Sequence, residues 1–198
     1  MLEFYYAPYS RSSTIHWILE ELEVDYTPRR VDIQAPGGAP ESYRKVHPHK
    51  KVPAIVHNGV TITETPAIAI YLGDTFPKSS LCPAIGDPLR GPYLSWLVYL
   101  PSVFDPALLA KLKGWQYESS EASFGVFDDV IRRFQETLST SDYALGSRVT
   151  LVDLVLANGL GWAMKTTELI PKSKYLVDYV ARVQDRPSYQ RFVQKAAA

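Results

Sequence analysis

The segment Lys51–Asp74, KVPAIVHNGVTITETPAIAIYLGD, constrains the fold of this chain more than any other. Two short apolar runs, AIV and VTI, flank the pair Asn58-Gly59, which favours the two-residue turn of a β-hairpin. The residues that follow, Pro66–Thr75, have the pattern of a helix. The segment therefore predicts two antiparallel strands followed directly by a helix.

The residues before this hairpin predict alternating strands and helices. The aromatic run LEFYY, Leu2–Tyr6, is typical of a strand, and RSSTIHWILEELEV spaces its apolar residues as a helix does. The run TPRRVDI predicts a second strand, and one helical turn is expected near Glu41–Val46. A strand-helix-strand unit requires a parallel strand pair, whereas the hairpin adds an antiparallel pair. We therefore predict a mixed four-stranded sheet.

The pattern changes after Phe76. Residues 77–88 are rich in proline without periodicity, which indicates a linker, and residues 89–198 contain helical patterns and no convincing strand. The run TLVDLVLANGLGWAM is apolar nearly all round, as in a central buried helix, with Thr150 and Asp153 placed to form a capping box. Gly91-Pro92 is expected to delay or kink the first helix of this part. We predict an α/β domain at 1–76, a linker at 77–88 and an all-helical bundle at 89–198.

Composition and charge argue against several classes of protein. Lys plus Arg equals Asp plus Glu, 21 against 21, and no compact basic block is present, so neither nucleic acid nor a membrane surface is an expected partner. The sequence has no signal-peptide pattern and no long apolar run. Cys82 is the single cysteine, which excludes an internal disulfide. His47 and His49 lack a third ligand, so no metal site is predicted. A soluble cytoplasmic protein is expected.

Polar residues at two strand ends are candidate ligand contacts. With Thr65 as N-cap and Pro66 at the first helical position, the helix start can bind an anion while Glu64 accepts a cation, and together they suit an α-amino-acid group. The alternative is an ordinary helix cap. If the Val52-Pro53 bond is cis, the Val52 backbone can pair with an extended peptide, whereas an ordinary edge proline is the commoner alternative.

Three serines stand at the start of the first helix. Ser10, Ser12 and Ser13 follow the first strand, and only one of them can serve as an N-cap. A second hydroxyl at this position can instead stabilise a bound thiolate, assisted by the positive end of the helix dipole.

Four motifs in this order resemble the cytosolic glutathione S-transferase family: YYAPYSRSSTIHWILEEL, HPHKKVPAI, TETPAIAIYL and ALGSRVTLVDLVLA. The run SRS before the helix is most similar to bacterial and fungal groups with a serine-type site. The resemblance implies a thioredoxin-like N-terminal domain, an all-helical C-terminal domain, a two-fold homodimer, and transfer of glutathione to a small apolar electrophile in detoxification. Alternatives on the same fold are a glutathione-dependent peroxidase or isomerase, or a non-catalytic binding protein.

The resemblance also implies roles for particular residues in binding glutathione. Val52 would pair its backbone with the cysteinyl part of glutathione, and Pro53 would be the cis-proline of the family. Glu64 and Thr65 match the pair that holds the γ-glutamyl group, and Lys51 would reach the glycyl carboxylate. The segment ALGSRVTLVD matches a capping box with a role in folding.

The same resemblance implies a catalytic hydroxyl and a second substrate pocket. Ser10 falls where the serine-type groups place the hydroxyl that bonds the glutathione sulfur, with Ser12 and Tyr5 as alternatives. Tyr9 and Phe104 are expected to line the pocket for the electrophile.

Overall fold

The computed structural model describes residues 1–76 and 81–197 of the chain. Its first part contains four strands and two helices, with a short 3-10 helix, Glu41–Lys45, between the second and third strands. The elements are β1 (Leu2–Tyr6), α1 (Ser12–Leu22), β2 (Thr27–Arg30), β3 (Ala54–His57), β4 (Val60–Thr63) and α2 (Thr65–Thr75). The first four residues of the predicted linker 77–88 lie outside the described residues.

The four strands form one mixed sheet in the order β2-β1-β3-β4. Strand β1 runs parallel to β2 and antiparallel to β3, and β3 pairs with β4 as the predicted hairpin. Asn58 and Gly59 have φ values of 51° and 82°, the left-handed conformation that a tight hairpin turn requires at both positions. The predicted fold class of the first domain is confirmed.

The last helix, α8 (Pro187–Ala197), lies against α1. The Trp17 indole N–H donates to the Ser188 hydroxyl at 3.0 Å, and the Lys195 ammonium donates to the buried carboxylate of Glu20 at 2.7 Å. The chain therefore divides into one compact unit of Met1–Lys78 with Pro187–Ala198 and a second unit of Ser79–Arg186. The predicted helical range 89–198 included α8, whereas the structure groups α8 with the first unit, because its side chains form hydrogen bonds with α1.

The second unit is helical, in agreement with the predicted bundle. Helix α6 lies at its centre and buries residues around its whole circumference, as the apolar run predicted. A Cβ atom at Gly159 would lie only 2.8 Å from Leu100 Cδ1, so a larger residue there would require the Leu100 side chain to shift. The helices are α3 (Arg90–Tyr99), α4 (Asp105–Leu112), α5 (Phe127–Thr140), α6 (Leu151–Thr166) and α7 (Lys174–Gln184).

The expected irregularity at Gly91-Pro92 is not found there. Helix α3 begins at Arg90 and continues through both residues, because a proline in the first turn removes an amide that has no partner within the helix. The irregularity lies instead at Leu100–Phe104, a π-helical turn between α3 and α4. Pro101 lies in this turn, and its ring and missing N–H disturb the regular helix ladder.

The continuous helical stretch Arg90–Leu112 is long and apolar enough to cross a membrane by length and composition alone. Half of its most apolar window is buried inside the protein, as in the core helix of a soluble domain. The stretch is therefore weak evidence for a membrane span.

A buried carboxylate organises the start of α6. Thr150 and Asp153 form the predicted capping box, and the Thr150 N–H donates to Asp153 Oδ2 at 2.8 Å. Oδ1 accepts from the Ala144 N–H at 2.8 Å and from the Tyr179 hydroxyl at 2.9 Å. Burial raises the pKa of the Asp153 carboxyl, while these hydrogen bonds act in the opposite direction. The carboxylate thus joins α6, α7 and the preceding loop.

Candidate functional site

The register of the sheet brings three of the predicted segments to one edge. Tyr5 of β1 is opposite Ala54 of β3, which is opposite Thr63 of β4. Because β1 and β4 end at this edge and β3 begins there, residues 7–13, 51–53 and 64–65 all lie beside it. The start of α1 and the start of α2 lie at the same edge, since each helix follows one of these strands.

The loop before β3 packs on a small hydrophobic cluster. The Val52-Pro53 peptide bond is cis, and Val52 packs against a cluster that contains Tyr43. The Tyr43 hydroxyl donates to the Lys51 carbonyl at 3.0 Å. Burial raises the pKa of Tyr43, so the phenol stays protonated and keeps this hydrogen bond. The Lys51 side chain is exposed.

Glu64 occupies an unusual backbone conformation at the start of α2. Its φ is 69° and its ψ is 121°, and a conformation of this kind costs a non-glycine residue about 1–3 kcal/mol. The side chain is exposed at the site edge. A strained residue persists only where the surrounding structure holds it in place, and such residues concentrate at ligand sites.

The predicted N-cap of this helix is wrong by one residue. Glu64, not Thr65, is the N-cap, and Thr65 and Pro66 are the first two helical residues. The reason is that the Glu64 carbonyl already accepts the first helix bond, from the Ile68 N–H at 2.9 Å. Among the described residues no side chain caps this end. The amides of Thr65 and Ala67 therefore have no partner within the helix, as an anion site requires.

The hydroxyls of Ser10 and Ser12 form one small network with the backbone of Ala7. Ser12 is 1% exposed, and its Oγ accepts from the Ala7 N–H at 3.1 Å and lies 2.9 Å from the Ala7 carbonyl oxygen. Ser10 is partly exposed, and its Oγ lies 2.7 Å from the same carbonyl oxygen and 2.7 Å from Ser12 Oγ. No serine side chain caps α1 within the described part of the chain, and Arg11 is the N-cap.

Tyr5, the other candidate for the catalytic hydroxyl, is engaged elsewhere. Its hydroxyl donates to Glu3 Oε2 at 2.9 Å, and its ring packs on Tyr43 at a centroid distance of 5.7 Å. Burial and the hydrogen bond to Glu3 raise the pKa of Tyr5. Among the three candidates, Ser10 combines partial exposure with a position at the helix start.

The two residues predicted to line the electrophile pocket, Tyr9 and Phe104, differ in their exposure to solvent. Tyr9 is 100% exposed and has a φ of 54°. Phe104 is completely buried and meets the Phe134 ring edge-to-face at 5.5 Å, which makes it a core residue of the helical unit. That these residues line the electrophile pocket stays a prediction, and the structure shows only that tertiary packing exposes one of them and encloses the other.

Sequence reasoning missed the role of Tyr43. This residue is the single aromatic side chain within the polar connection QAPGGAPESYRKVHPHK, and it supports the loop that carries Lys51 and Val52. An isolated aromatic residue in a segment rich in proline and glycine was the available signal.

The chain is similar to known proteins in both of its parts. The model of the glutathione S-transferase N-terminal domain matches residues 2–74, and that of the C-terminal domain matches residues 107–187. The glutathione S-transferase GstA of Escherichia coli O157:H7 is 24% identical over 194 residues, which are 96% of this chain and 96% of GstA.

Solved structures agree with these matches. A glutathione transferase from Methylococcus capsulatus superposes with a TM-score of 0.82 at 27% identity, over 100% of this chain and 99% of that one. A sphingomonad glutathione S-transferase, solved in complex with glutathione, has a TM-score of 0.79 at 27% identity and covers 98% of both chains. Because both domains match in order and the fold agrees along the whole chain, this protein belongs to the glutathione S-transferase family.

Proposed function

We propose that this chain binds glutathione at the edge of the sheet and activates its thiol for attack on a small apolar electrophile. The observation that carries the proposal is the strand register, which gathers residues 7–13, 51–53 and 64–65 at one edge. The sphingomonad relative, solved with glutathione bound, supports this choice of ligand.

Each part of glutathione has a chemically matched group at this edge. The γ-glutamyl ammonium would pair with the exposed carboxylate of Glu64, and its carboxylate would accept from the amides and the Thr65 hydroxyl at the start of α2. The cysteinyl backbone would pair with Val52 beside Pro53 as an added strand does. The glycyl carboxylate would pair with Lys51, whose side chain is exposed next to Val52.

Activation requires a modest stabilisation of the thiolate. A thiol with a pKa of about 8.5 is roughly 3% ionised at neutral pH, and lowering this pKa by about two units takes about 2.7 kcal/mol. One hydrogen bond from a hydroxyl to the anion, together with the positive end of α1, has this magnitude. Ser10 keeps its own proton and donates it as a hydrogen bond to the sulfur. The electrophile then reacts because it is held beside an activated nucleophile.

The direct test of this function is binding followed by turnover. The purified chain is expected to be retained on immobilised glutathione and to conjugate chlorodinitrobenzene. A parallel assay with cumene hydroperoxide separates a transferase from a peroxidase that uses the same thiolate. Retention without turnover of either substrate would contradict the transferase and peroxidase activities, and absence of retention would contradict glutathione binding itself.

Removal of the Glu64 carboxylate is expected to weaken glutathione binding while the fold persists. The variant Glu64→Ala deprives the ligand ammonium of its proposed partner, and a charge-assisted hydrogen bond of this kind contributes roughly 1.5–3 kcal/mol. The affinity for glutathione, measured by calorimetry, should decrease by a factor between ten and more than a hundred. The exposed residue Glu136 on α5 provides a matched control, and Glu136→Ala should bind as the unchanged chain does. Equal affinity in both variants would remove Glu64 from the site.

We also propose that the chain is a homodimer with two-fold symmetry. The resemblance to the family suggests such an assembly, and an isologous dimer is the commonest symmetric oligomer. Sedimentation at micromolar concentration should therefore show a species of twice the chain mass of 22.3 kDa. A single species at the mass of one chain would contradict the dimer.

A further inference from the structure

Three oxygen atoms form a closed triangle at the start of α1. The Ala7 carbonyl oxygen lies 2.7 Å from Ser10 Oγ and 2.9 Å from Ser12 Oγ, and the two hydroxyl oxygens are 2.7 Å apart. Every side of the triangle is within hydrogen-bond distance. Each hydroxyl therefore has two partners inside the triangle but only one proton to donate.

Backbone amides already use one acceptor position on each hydroxyl. The Ala7 N–H donates to Ser12 Oγ at 3.1 Å, and the Ser12 N–H donates to Ser10 Oγ at 3.2 Å. These bonds fix both oxygen atoms relative to the loop and leave the direction of the two protons open. The proton arrangement thus decides which hydroxyl can serve a ligand.

Two arrangements satisfy the triangle without a ligand. In one, Ser10 donates to the Ala7 carbonyl and Ser12 donates to Ser10. In the other, Ser12 donates to the Ala7 carbonyl and Ser10 donates to Ser12. Only the second arrangement lets Ser10 redirect its proton to an anion while the Ala7 carbonyl keeps a donor. Since Ser12 is 1% exposed, its proton stays within the triangle.

We propose that Ser12 is a positioning residue, which occupies the Ala7 carbonyl so that Ser10 can direct its proton to the sulfur of glutathione. This inference rests on the proposed function, because it needs an anion beside Ser10. No covalent bond is formed or broken in this step. One hydrogen bond, from Ser10 to Ser12, is exchanged for one from Ser10 to the thiolate.

The consequence of losing Ser12 follows from counting donors. Without its hydroxyl, Ser10 is the one member of the triangle left to donate to the Ala7 carbonyl. A bond from Ser10 to the thiolate then leaves that carbonyl without its hydroxyl donor, and this cost is subtracted from the stabilisation of the anion. The effect of Ser12 on the thiol therefore passes through Ser10.

A double-mutant cycle on the pKa of the bound thiol tests this. Thiolate absorbance against pH is followed for glutathione bound to the unchanged chain, to Ser12→Ala, to Ser10→Ala and to the double variant. Ser12→Ala should raise the thiol pKa by about one unit, a tenfold change in the ionisation equilibrium. In the Ser10→Ala background the same substitution should change the pKa by no more than a few tenths of a unit.

Two further variants separate this role from folding. Ser13→Ala removes a hydroxyl that donates to the Ser10 carbonyl at 2.9 Å, outside the triangle, and should leave the thiol pKa unchanged. Should Ser12→Ala fail to fold, Ser12→Cys keeps a weak donor and acceptor of similar size, and the same cycle should show a smaller shift of the same sign.

The outcomes distinguish the inference from the function on which it rests. If Ser10→Ala raises the thiol pKa but Ser12→Ala leaves it unchanged, or shifts it equally in both backgrounds, the positioning role is overturned while the proposed function stands. If glutathione does not bind, or if Ser10→Ala leaves the thiol pKa unchanged, the proposed role of Ser10 is wrong and the inference fails with it.

Discussion

Ser10→Ala is expected to lower kcat/KM for a chloroarene by ten- to a thousandfold, equivalent to about 1.4–4 kcal/mol of transition-state stabilisation. The reason is that the variant removes the proposed hydroxyl donor to the thiolate. The bound thiol should therefore titrate higher than in the unchanged chain by one to a few pH units, at about 1.4 kcal/mol per unit. Glutathione affinity should change much less, since other groups hold the tripeptide.

The measurement is a steady-state assay together with thiolate absorbance against pH. Tyr5→Phe is the matched control, because the Tyr5 hydroxyl donates to Glu3 and its loss should leave kcat/KM within about twofold. Urea unfolding of Ser10→Ala verifies that the variant keeps the stability of the unchanged chain. Full activity in Ser10→Ala with activity lost in Tyr5→Phe would move the catalytic hydroxyl to Tyr5. Full activity in both variants would indicate that backbone amides at the start of α1 stabilise the thiolate without a hydroxyl.

Much of the fold was predictable because the signals are local. The aromatic run Leu2–Tyr6 and the Asn58-Gly59 turn depend on residues that are neighbours in the chain, and the structure has the strand and the hairpin where the patterns place them. The apolar circumference of α6 and the capping box at Thr150 are likewise short-range patterns. Local preference and global fold agree at these positions.

Features that depend on distant contacts were not predictable in this way. The hydrogen bond between Trp17 and Ser188 spans 171 positions, and no local pattern indicates that the last helix packs on α1. Phe104 and Tyr9 are both aromatic, yet one is enclosed by helices from other parts of the chain and the other is exposed. Side-chain burial at such positions is decided by tertiary packing.

The candidate site shows the same division between local and distant signals. The segments that carry Glu64 and Val52 could be identified from sequence, because proline and the turn residues determine where the strands end. The choice among the hydroxyls could not, since Ser10 and Ser12 are chemically identical and differ only in burial and in their distances to Ala7. The backbone path of a single loop makes one available to a ligand and encloses the other.

The largest effect on stability is expected from Asp153→Ala in the helical unit. This substitution removes a fully buried carboxylate and leaves its donors, the Ala144 and Thr150 amides and the Tyr179 hydroxyl, without their acceptor. Each unsatisfied buried donor costs about 1–3 kcal/mol, so partial relaxation still leaves a loss of about 3–5 kcal/mol in the free energy of unfolding. A loss of this size corresponds to a decrease in Tm of roughly 10 °C for a chain of this length.

A series of variants assigns this loss to the network rather than to the helix cap alone. Tyr179→Phe removes one donor and should cost about 1 kcal/mol, and Asp153→Asn should fall between it and Asp153→Ala because the amide keeps one acceptor oxygen. Asp178→Ala removes a carboxylate paired at the surface with Lys174 and should stay within about 0.5 kcal/mol of the unchanged chain. Urea unfolding followed by circular dichroism gives all four values. If Asp153→Ala is no more destabilising than Tyr179→Phe, the hydrogen bonds that the carboxylate accepts from the Ala144 and Thr150 amides add nothing measurable to stability, and the role assigned to this network is wrong.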